Sequence, residues 1–247
     1  FVDMNKANFF NFSFLPKYAT SFVRGLEYTL LLAVVSVLLA IIPALLLALM
    51  RLSKNRIVRS ISGAYIALFR STPLLVQLSI IYFGLFGAIS IPRVTILGFA
   101  DISRFIPGVV ALALNSSAYV AEIFRAGILA VDKGQTEAGR STGLTQAQTM
   151  LYIIWPQAFR RMIPPLTNQC IISLKDTSLL VVIGVGELTR QGQEIIAVNF
   201  RAFEVWLTVA IFYLAMTLSI SAVLRYYERK LMIGRRAVPA SPSDPQM

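Results

Sequence analysis

An uninterrupted apolar run at residues 28–50 is the feature that most constrains this chain, because it contains no charged residue. The hydrocarbon core of a bilayer is about 30 Å thick, and a helix needs roughly 20 residues to cross it. Pro43 lies within the run, and a membrane helix tolerates a proline when neighbouring groups satisfy the freed carbonyl. We therefore predict that residues 28–50 form a membrane-spanning helix.

Four further apolar segments have the length of a membrane span, although three of them carry polar residues. They cover residues 61–86, 106–130, 162–183 and 205–224. The chain is 56% hydrophobic and only 14% charged, whereas ordinary globular domains carry about 25% charged residues. The sequence therefore predicts an all-α integral membrane protein with five transmembrane helices.

The distribution of Lys and Arg predicts how these spans are oriented. An odd number of spans places the two termini on opposite sides of the membrane. The connections on one side contain more Lys and Arg than those on the other, and the positive-inside rule assigns the richer side to the cytoplasm. The N-terminus is then outside and the C-terminus is cytoplasmic. The same bias accounts for the net charge of +11, so no nucleic-acid partner is expected.

The chain is predicted to contain one transmembrane domain, residues 28–230, with a flanking segment at each end. Residues 1–27 include an aromatic stretch that suits the extracytoplasmic membrane interface, or simply leads into the first helix. Residues 231–247 are predicted to form a cytoplasmic C-terminal tail, which ends in a Ser- and Pro-containing stretch typical of disorder.

Several kinds of chemistry are excluded by what the sequence lacks. It contains no His and a single Cys, so His catalysis, an internal disulfide and a Cys or His metal site are not expected. A G-x-x-x-x-G-K-[ST] phosphate loop is also absent, so the chain should not bind ATP by that route. We expect a non-enzymatic chain without a cofactor or metal of its own, and one that needs a partner for energy.

The longest cytoplasmic connection, residues 131–161, is predicted to contain a short helix that lies against the inner face. Thr136 can cap this helix, and Glu137 in its first turn interacts favourably with the helix dipole. Gly143 leaves room for close backbone approach, and Pro156 ends the element or turns the chain back to the membrane. Its apolar residues recur at helical spacing: Leu144, Ala147, Met150 and Leu151. The residues alone do not decide whether this helix presents a docking surface or rests on the protein's own spans.

The spacing within this loop resembles the EAA loop of ABC-importer permeases. The matching residues are Glu137-Ala138-Gly139, Gly143, Ile153 and Trp155-Pro156, with Gly139 and Trp155 standing where the family pattern has Ala and Leu. Residues 69–77, 119–127 and 175–179 also resemble segments of the polar amino-acid permeases in that family. The resemblance extends over nearly the whole chain, from about residue 28 to residue 229.

This resemblance implies a permease subunit of an ATP-driven importer in the bacterial cytoplasmic membrane. The coupling residues would be Glu137, Ala138, Gly139, Gly143 and Pro156, in a loop helix that docks onto a separate ATP-binding-cassette ATPase dimer. ATP and Mg²⁺ would bind to that partner. The family also implies a second permease subunit, identical or homologous, an extracytoplasmic binding protein, and a polar amino acid as substrate that crosses by alternating access.

Ionisable residues inside the spans predict where a substrate binds, because a charge in the bilayer usually faces a cavity or a partner. Lys175 and Asp176 lie in the fourth span, followed by two hydroxyl residues, and could match the carboxylate and ammonium groups of an amino acid. The other candidate residues are Thr177, Ser178, Asn115, Ser117 and Glu122. The alternative is a structural network of buried charges that braces the spans.

Arg70 is a further candidate, although its position favours a structural or gating role. Pro73 follows it and frees a backbone carbonyl, so Arg70 could hold the resulting kink or reach an anionic group. Glu122 and Arg125 are three residues apart and could simply pair on one helix face.

An ion-coupled secondary transporter or channel subunit is the alternative function, with the charged residues of the spans lining an ion path. Many secondary transporters are built from repeated halves, and no internal repeat is evident here. Energy coupling separates the two functions, since ion-driven transport without an ATPase would favour the alternative.

Overall fold

The computed structural model describes residues 11–89, 91–92, 94–96 and 100–232. Its α-helices are α1 (Leu15–Leu52), α2 (Arg56–Ser71), α3 (Leu74–Ser79), α4 (Ile102–Leu129), α5 (Lys133–Ser141), α6 (Gln146–Thr149), α7 (Trp155–Asp176), α8 (Leu188–Asn199) and α9 (Ala202–Met232). Two π-helical segments, Ile80–Phe86 and Met150–Ile154, and a 3₁₀-helix, Thr177–Ile183, continue α3, α6 and α7. Strands β1 (Thr95–Ile96) and β2 (Ala100–Asp101) form a small antiparallel hairpin.

The predicted all-α membrane fold is confirmed, and up to five spans are present. Four helical stretches are long and apolar enough to cross a membrane: Leu15–Leu52, Ile102–Leu129, Gln146–Ile183 and Ala202–Leu231. A fifth candidate is the pair Arg56–Ser71 and Leu74–Phe86, which bends by 106° at its break. The orientation, with the N-terminus outside, stays a prediction from the distribution of Lys and Arg.

The first helix differs from the prediction because it begins at Leu15 rather than at residue 28. Pro16 lies in its first turn, where a missing N–H costs no intrahelical hydrogen bond. At 1.5 Å per residue its 38 residues extend about 57 Å, well beyond a hydrocarbon core of about 30 Å. Part of α1 therefore projects past the core, and charged residues in that part can reach water.

The break in the second span lies where the sequence predicts it. Asn55 caps α2, because its side-chain oxygen accepts a hydrogen bond from the backbone N–H of Ile57 at 2.9 Å. Thr72, with extended backbone angles, follows the end of α2. A residue that precedes proline avoids the helical region, so Pro73 fixes this turn and α3 begins immediately after it.

The fourth span is longer than predicted, since its helical stretch begins at Gln146 instead of residue 162. Pro156 was expected to end the loop element or to turn the chain, and this expectation is wrong. Pro156 instead lies in the first turn of α7, directly after the π-helical segment Met150–Ile154. The wider turn of a π-helix tolerates the loss of one backbone hydrogen bond, which occurs because Pro156 has no N–H to donate.

Small side chains permit the close packing of α1 against α4 at the centre of the domain. α1 buries a row of alanines that includes Ala40, Ala44 and Ala48, and α4 buries Ala118 and Ala121. Lipid chains are as apolar as leucine, so helices in a membrane associate through close van der Waals contact, which small residues allow. α4 also packs against α2 and α7, which places its polar residues inside the helix bundle.

The crossing of α1 and α8 generates a first prediction, because Gly25 lies directly against the backbone of α8. A Cβ atom at Gly25 would lie 2.9 Å from the Cα atom of Leu188, and that backbone atom cannot move aside cheaply. We expect Gly25→Ala to destabilise the protein by about 1–3 kcal/mol, as overpacking usually does. Thermal unfolding of the detergent-purified protein measures the effect.

Gly186→Ala is the matched control, because a Cβ atom there would meet its nearest neighbour, on Gln191, at an ordinary 3.6 Å. We expect its melting temperature to stay close to that of the wild type. Equal melting temperatures for Gly25→Ala and the wild type would contradict this account of the crossing.

Candidate substrate and coupling sites

Asn115 and Gln77 form a buried polar contact between α4 and the broken second span. The Asn115 side chain donates a hydrogen bond to Gln77 Oε1 at 2.8 Å. Gln77 Nε2 lies 2.8 Å from the carbonyl oxygen of Phe69 and 2.9 Å from that of Thr72. These carbonyls are freed by the helix break, so Gln77 satisfies them. The sequence analysis missed Gln77, although a polar residue just after Pro73 in a span was the signal.

Ser117 braces α4 rather than facing an open cavity. It is fully buried, and its hydroxyl donates to the carbonyl oxygen of Leu114 at 2.7 Å and lies 3.0 Å from the hydroxyl of Tyr65. Its neighbour Ser116 contacts Ser173 of α7 at 3.0 Å between hydroxyl oxygens. This contact fixes the level at which α4 meets α7.

Lys175 and Asp176 lie at the end of α7, where the α-helix becomes a 3₁₀-helix. Lys175 is exposed and Asp176 is half-buried, and neither forms a salt bridge with another residue of the described ranges. The Thr177 and Ser178 hydroxyls donate to the carbonyl oxygens of Leu174 and Lys175, both at 2.7 Å. The Ser178 oxygen keeps free acceptor capacity, whereas Thr177 is fully buried. The two charged groups are therefore available to a ligand.

Lys175 and the residues that follow it lie at about the same depth in the helix bundle as the polar residues of α4, although not all of these residues contact each other. Asn115 directly precedes Ser116, and Lys175 follows Ser173 by two residues. Because Ser116 contacts Ser173, Lys175 is within about one helical turn of the level of Asn115.

Glu122 forms a salt bridge with Arg125, as the spacing of three residues between them allows. Arg125 Nη2 donates to Glu122 Oε2 at 2.8 Å, and Arg125 Nε lies 3.0 Å from the same oxygen. Arg70 lies over the ring of Tyr119, with its guanidinium carbon 5.3 Å from the ring centroid. Tyr119, Glu122 and Arg125 lie farther along α4 than Asn115, toward the C-terminal end of the helix, and Arg70 reaches them from the end of α2.

Arg70, Tyr119 and Glu122 line two adjoining clefts toward the C-terminal end of α4. The larger, of about 530 Å³, lies between α4 and α7 and also includes Arg161 and Gln169. The smaller, of about 450 Å³, adjoins α1 and α2. Arg70 therefore faces open space as well as an aromatic ring, which suits a residue on a path between spans.

The predicted loop helix is present as α5, but its start differs from the prediction. Asp132 rather than Thr136 is the cap, and its Oδ1 accepts a hydrogen bond from the backbone N–H of Gly134 at 2.6 Å. Asp can cap as well as Thr, and it lies one full turn earlier. Glu137 is consequently in the middle of α5 and not in its first turn.

The close approach that the sequence predicted at Gly143 occurs at Gly139 instead. A Cβ atom at Gly139 would lie 2.7 Å from Ile153 and 2.8 Å from Thr149, so Gly139 is the position of close approach. Gly143 has open space around it but a φ of +86°, which a residue without a side chain adopts readily. The Gly139 that departs from the family pattern thus lets α5 pack against the start of the fourth span.

The outer surface of this loop combines a charged residue with exposed apolar side chains. Glu137 and Ala138 are exposed on α5, and Pro156 is exposed at the start of α7. Leu151 and Tyr152 between them are 59% and 65% exposed. Exposed apolar side chains that lie next to each other mark interaction surfaces more often than exposed apolar side chains that lie alone.

Glu187, at the start of α8 and beyond the fourth span, is a fully buried acid. Its carboxylate accepts hydrogen bonds from the backbone N–H groups of Thr189 and Arg190, each at 2.8 Å. Burial raises the pKa of Glu187 to about 7, although these hydrogen bonds oppose the shift.

Comparisons with known proteins agree with this architecture. Residues 36–233 match the family described as the binding-protein-dependent transport system inner membrane component. The chain is 45% identical over 211 residues to the glutamine transport system permease protein GlnP of Escherichia coli (strain K12), covering 85% of this chain and 93% of that protein. It is 41% identical to the L-cystine transport system permease protein TcyB of Bacillus subtilis (strain 168), covering 84% of this chain and 85% of that protein.

Solved structures give the same result. An amino acid ABC transporter crystallised with histidines is 43% identical to the chain, with a TM-score of 0.80 over 89% of this chain and 98% of the other. The MetNI methionine ABC transporter in an inward-facing conformation shares the fold at 19% identity, with a TM-score of 0.70 over 87% of this chain and 98% of the other. The match is to ABC permeases and not to an ion-coupled transporter. The chain therefore belongs to the family of binding-protein-dependent transport system inner membrane components, as a permease subunit of an ABC importer in the inner membrane.

Proposed function

We propose that this permease imports a polar amino acid, with glutamine as the first candidate, and that Lys175 and Asp176 hold the substrate. The observation that carries the proposal is the position of two oppositely charged groups, side by side at the end of a span, without a salt bridge to another described residue. The glutamine permease of E. coli, at 45% identity, supports glutamine as the substrate to test.

An amino acid presents one carboxylate and one ammonium group, which match this pair in charge. Lys175 would contact the α-carboxylate and Asp176 the α-amino group, with charge-assisted hydrogen bonds that are stronger than neutral ones. Adjacent helical residues point about 100° apart, so the two side chains can approach a ligand from different directions instead of neutralising each other. Ser178 would supply an acceptor oxygen nearby, and the buried Thr177 would support the turn that carries it.

The remaining candidates would contribute in different ways. Asn115 is held by Gln77 and Ser117 by Tyr65, so both support the shape of the site. Glu122 is neutralised by Arg125. Glu122 and Arg70 line the two clefts toward the C-terminal end of α4. We propose that the substrate passes these residues on its way out of the permease and that it first contacts other residues.

Energy would enter through the loop between α4 and α7, residues 131–161. We propose that an ATP-binding-cassette dimer, which carries ATP and Mg²⁺, receives the exposed face around Glu137, Leu151 and Tyr152. The close contact of Gly139 with Thr149 and Ile153 would transmit movement of α5 to the fourth span, which carries Lys175. A second permease subunit, identical or homologous, and an extracytoplasmic binding protein would complete the importer.

Neutralising either member of the charged pair tests the substrate site. We expect Lys175→Ala and Asp176→Ala each to raise the KM for glutamine by about 10- to 100-fold, because each removes a hydrogen bond to a charged group. Uptake by proteoliposomes that contain the ATPase and the binding protein measures the effect. Lys17→Ala, which removes an exposed lysine near the start of α1, is the matched control and should transport like the wild type. Wild-type KM values in both site variants would contradict the assignment.

Charge reversal on the loop tests the coupling surface. Glu137→Arg changes an exposed residue of α5, so the permease should fold normally but lose most of its ATPase binding, since reversing a charge within an interface removes its electrostatic complementarity. Co-purification with the ATPase and glutamine-stimulated ATP hydrolysis are the measurements. Glu27→Arg, the same exchange at an exposed residue of α1, should leave both unchanged. Normal ATPase binding by Glu137→Arg would place the docking surface elsewhere.

A further inference from the structure

The carboxyl group of Glu187 caps the N-terminus of α8, and no positively charged side chain among the described residues balances it. Arg190 turns its side chain away and donates to Glu194 at 2.8 Å. Arg104 donates to the carbonyl oxygen of Gly184 at 2.7 Å and lies 3.8 Å from Asp101. Among the described residues, then, both nearby guanidinium groups are engaged elsewhere.

The polar groups that face Glu187 come from each element packed against α8. α9 contributes Tyr213, whose hydroxyl donates to Glu187 Oε2 at 2.9 Å. α8 itself contributes Thr189, whose hydroxyl oxygen lies 3.1 Å from that of Tyr213. The 3₁₀-helix after α7 contributes Thr177, whose hydroxyl lies near that of Tyr213 and donates to the carbonyl oxygen of Leu174. α1 contributes Thr29, whose hydroxyl oxygen accepts a hydrogen bond from the backbone N–H of Leu188 at 3.2 Å. Tyr213 therefore joins α9 to the start of α8, and α8 in turn packs against the 3₁₀-helix that contains Thr177 and Ser178.

This network can exist in two hydrogen-bonding patterns. When Glu187 is ionised, its oxygens accept from Tyr213 and from two backbone N–H groups. When Glu187 is protonated, its O–H can donate to the Tyr213 oxygen, and Tyr213 can turn its own proton toward Thr189, since either hydroxyl of that pair can be the donor. The ionised pattern leaves a buried charge that no cation balances, whereas the protonated pattern leaves none.

We propose that Glu187, Tyr213 and Thr189 form a proton-sensitive joint, in which protonation holds α8 against the end of the fourth span and ionisation loosens both. Glu187 and Tyr213 are positioning residues here, because they act on Lys175–Ser178 through the packing of α8. The effect on transport rests on the substrate site proposed above. The effect on α8 itself does not.

The direction of the pH dependence follows from the balance of the two states. The folded protein holds the Glu187 proton more tightly than a solvated glutamic acid does, because burial raises the pKa from 4.5 to about 7. The stability that protonation contributes is complete below the ordinary pKa and is lost as the pH rises through about 7. Full ionisation should therefore raise the ratio of open to closed joint by roughly 300-fold, since one pKa unit corresponds to a factor of ten.

Glu187→Gln is the decisive variant, because an amide keeps one acceptor and one donor and never ionises. We would measure hydrogen exchange at the amides of Thr189 and Arg190 and in Lys175–Ser178, in the purified permease–ATPase complex between about pH 5.5 and about pH 8. After correction for intrinsic rates, wild-type protection should fall by about thirtyfold between these two pH values, with most of the fall complete by about pH 7. Glu187→Gln should stay protected throughout.

Tyr213→Phe supplies a second, independent expectation. It removes a donor to the ionised carboxylate, so the loss of protection should move to higher pH instead of disappearing. A merely structural role for Tyr213 would lower protection equally at every pH. Identical pH profiles of protection in the wild type and in Glu187→Gln would contradict the proposal of a proton-sensitive joint.

Glutamine-stimulated ATP hydrolysis at the same pH values tests the link to transport. We expect the wild-type KM for glutamine to rise as the pH increases from about 5.5 to about 7 and to level off above that, and the KM of Glu187→Gln to stay level throughout. A complex that glutamine stimulates at no pH would count against the proposed substrate, while the exchange measurement would still decide the joint. Matching KM profiles for the two proteins, with exchange profiles that differ, would overturn the link to the substrate segment.

Discussion

The side-chain amide of Gln77 is the contact on which the interior of this domain depends. A helix broken inside a membrane leaves carbonyl groups without donors, and each one costs several kcal/mol if it stays unsatisfied. Gln77 supplies donors to Phe69 and Thr72 on the far side of the break, and its own oxygen accepts from Asn115 of α4. One side chain thus fixes a bend of 106° and joins the second span to the third.

Two kinds of polar residue follow from that arrangement. Asn115, Ser117 and Glu122 on α4 have their hydrogen bonds satisfied within the protein, so they shape the bundle around the path. Lys175 and Asp176 have no salt bridge within the described ranges, and they lie where the helix changes from α to 3₁₀ geometry. The protein therefore combines a rigid polar scaffold on one helix with unneutralised charges on the next.

The sequence was sufficient for features that depend on hydrophobicity and on single strong signals. Apolar length predicted the spans, and Pro73 predicted the break of the second one. Helix ends were harder to predict, because nothing in the sequence stops α1 or the fourth span from extending beyond the hydrocarbon core. The packing roles of Gln77 and Gly139 were not predicted for another reason: they depend on which distant residues lie against them, and spacing along one helix does not contain that information.

The cost of charge in a membrane explains why the unneutralised pair points to a substrate. A charged side chain at the bilayer centre costs at least about 2.5–3.5 kcal/mol on insertion scales, and a chain can avoid much of this by pairing charges. This chain does so at Glu122 and Arg125, three residues apart on α4. It does not do so at Lys175 and Asp176, which are adjacent and of opposite sign. A zwitterionic ligand would supply an opposite charge to each of them at once, and this match in charge is the basis of the proposed substrate site.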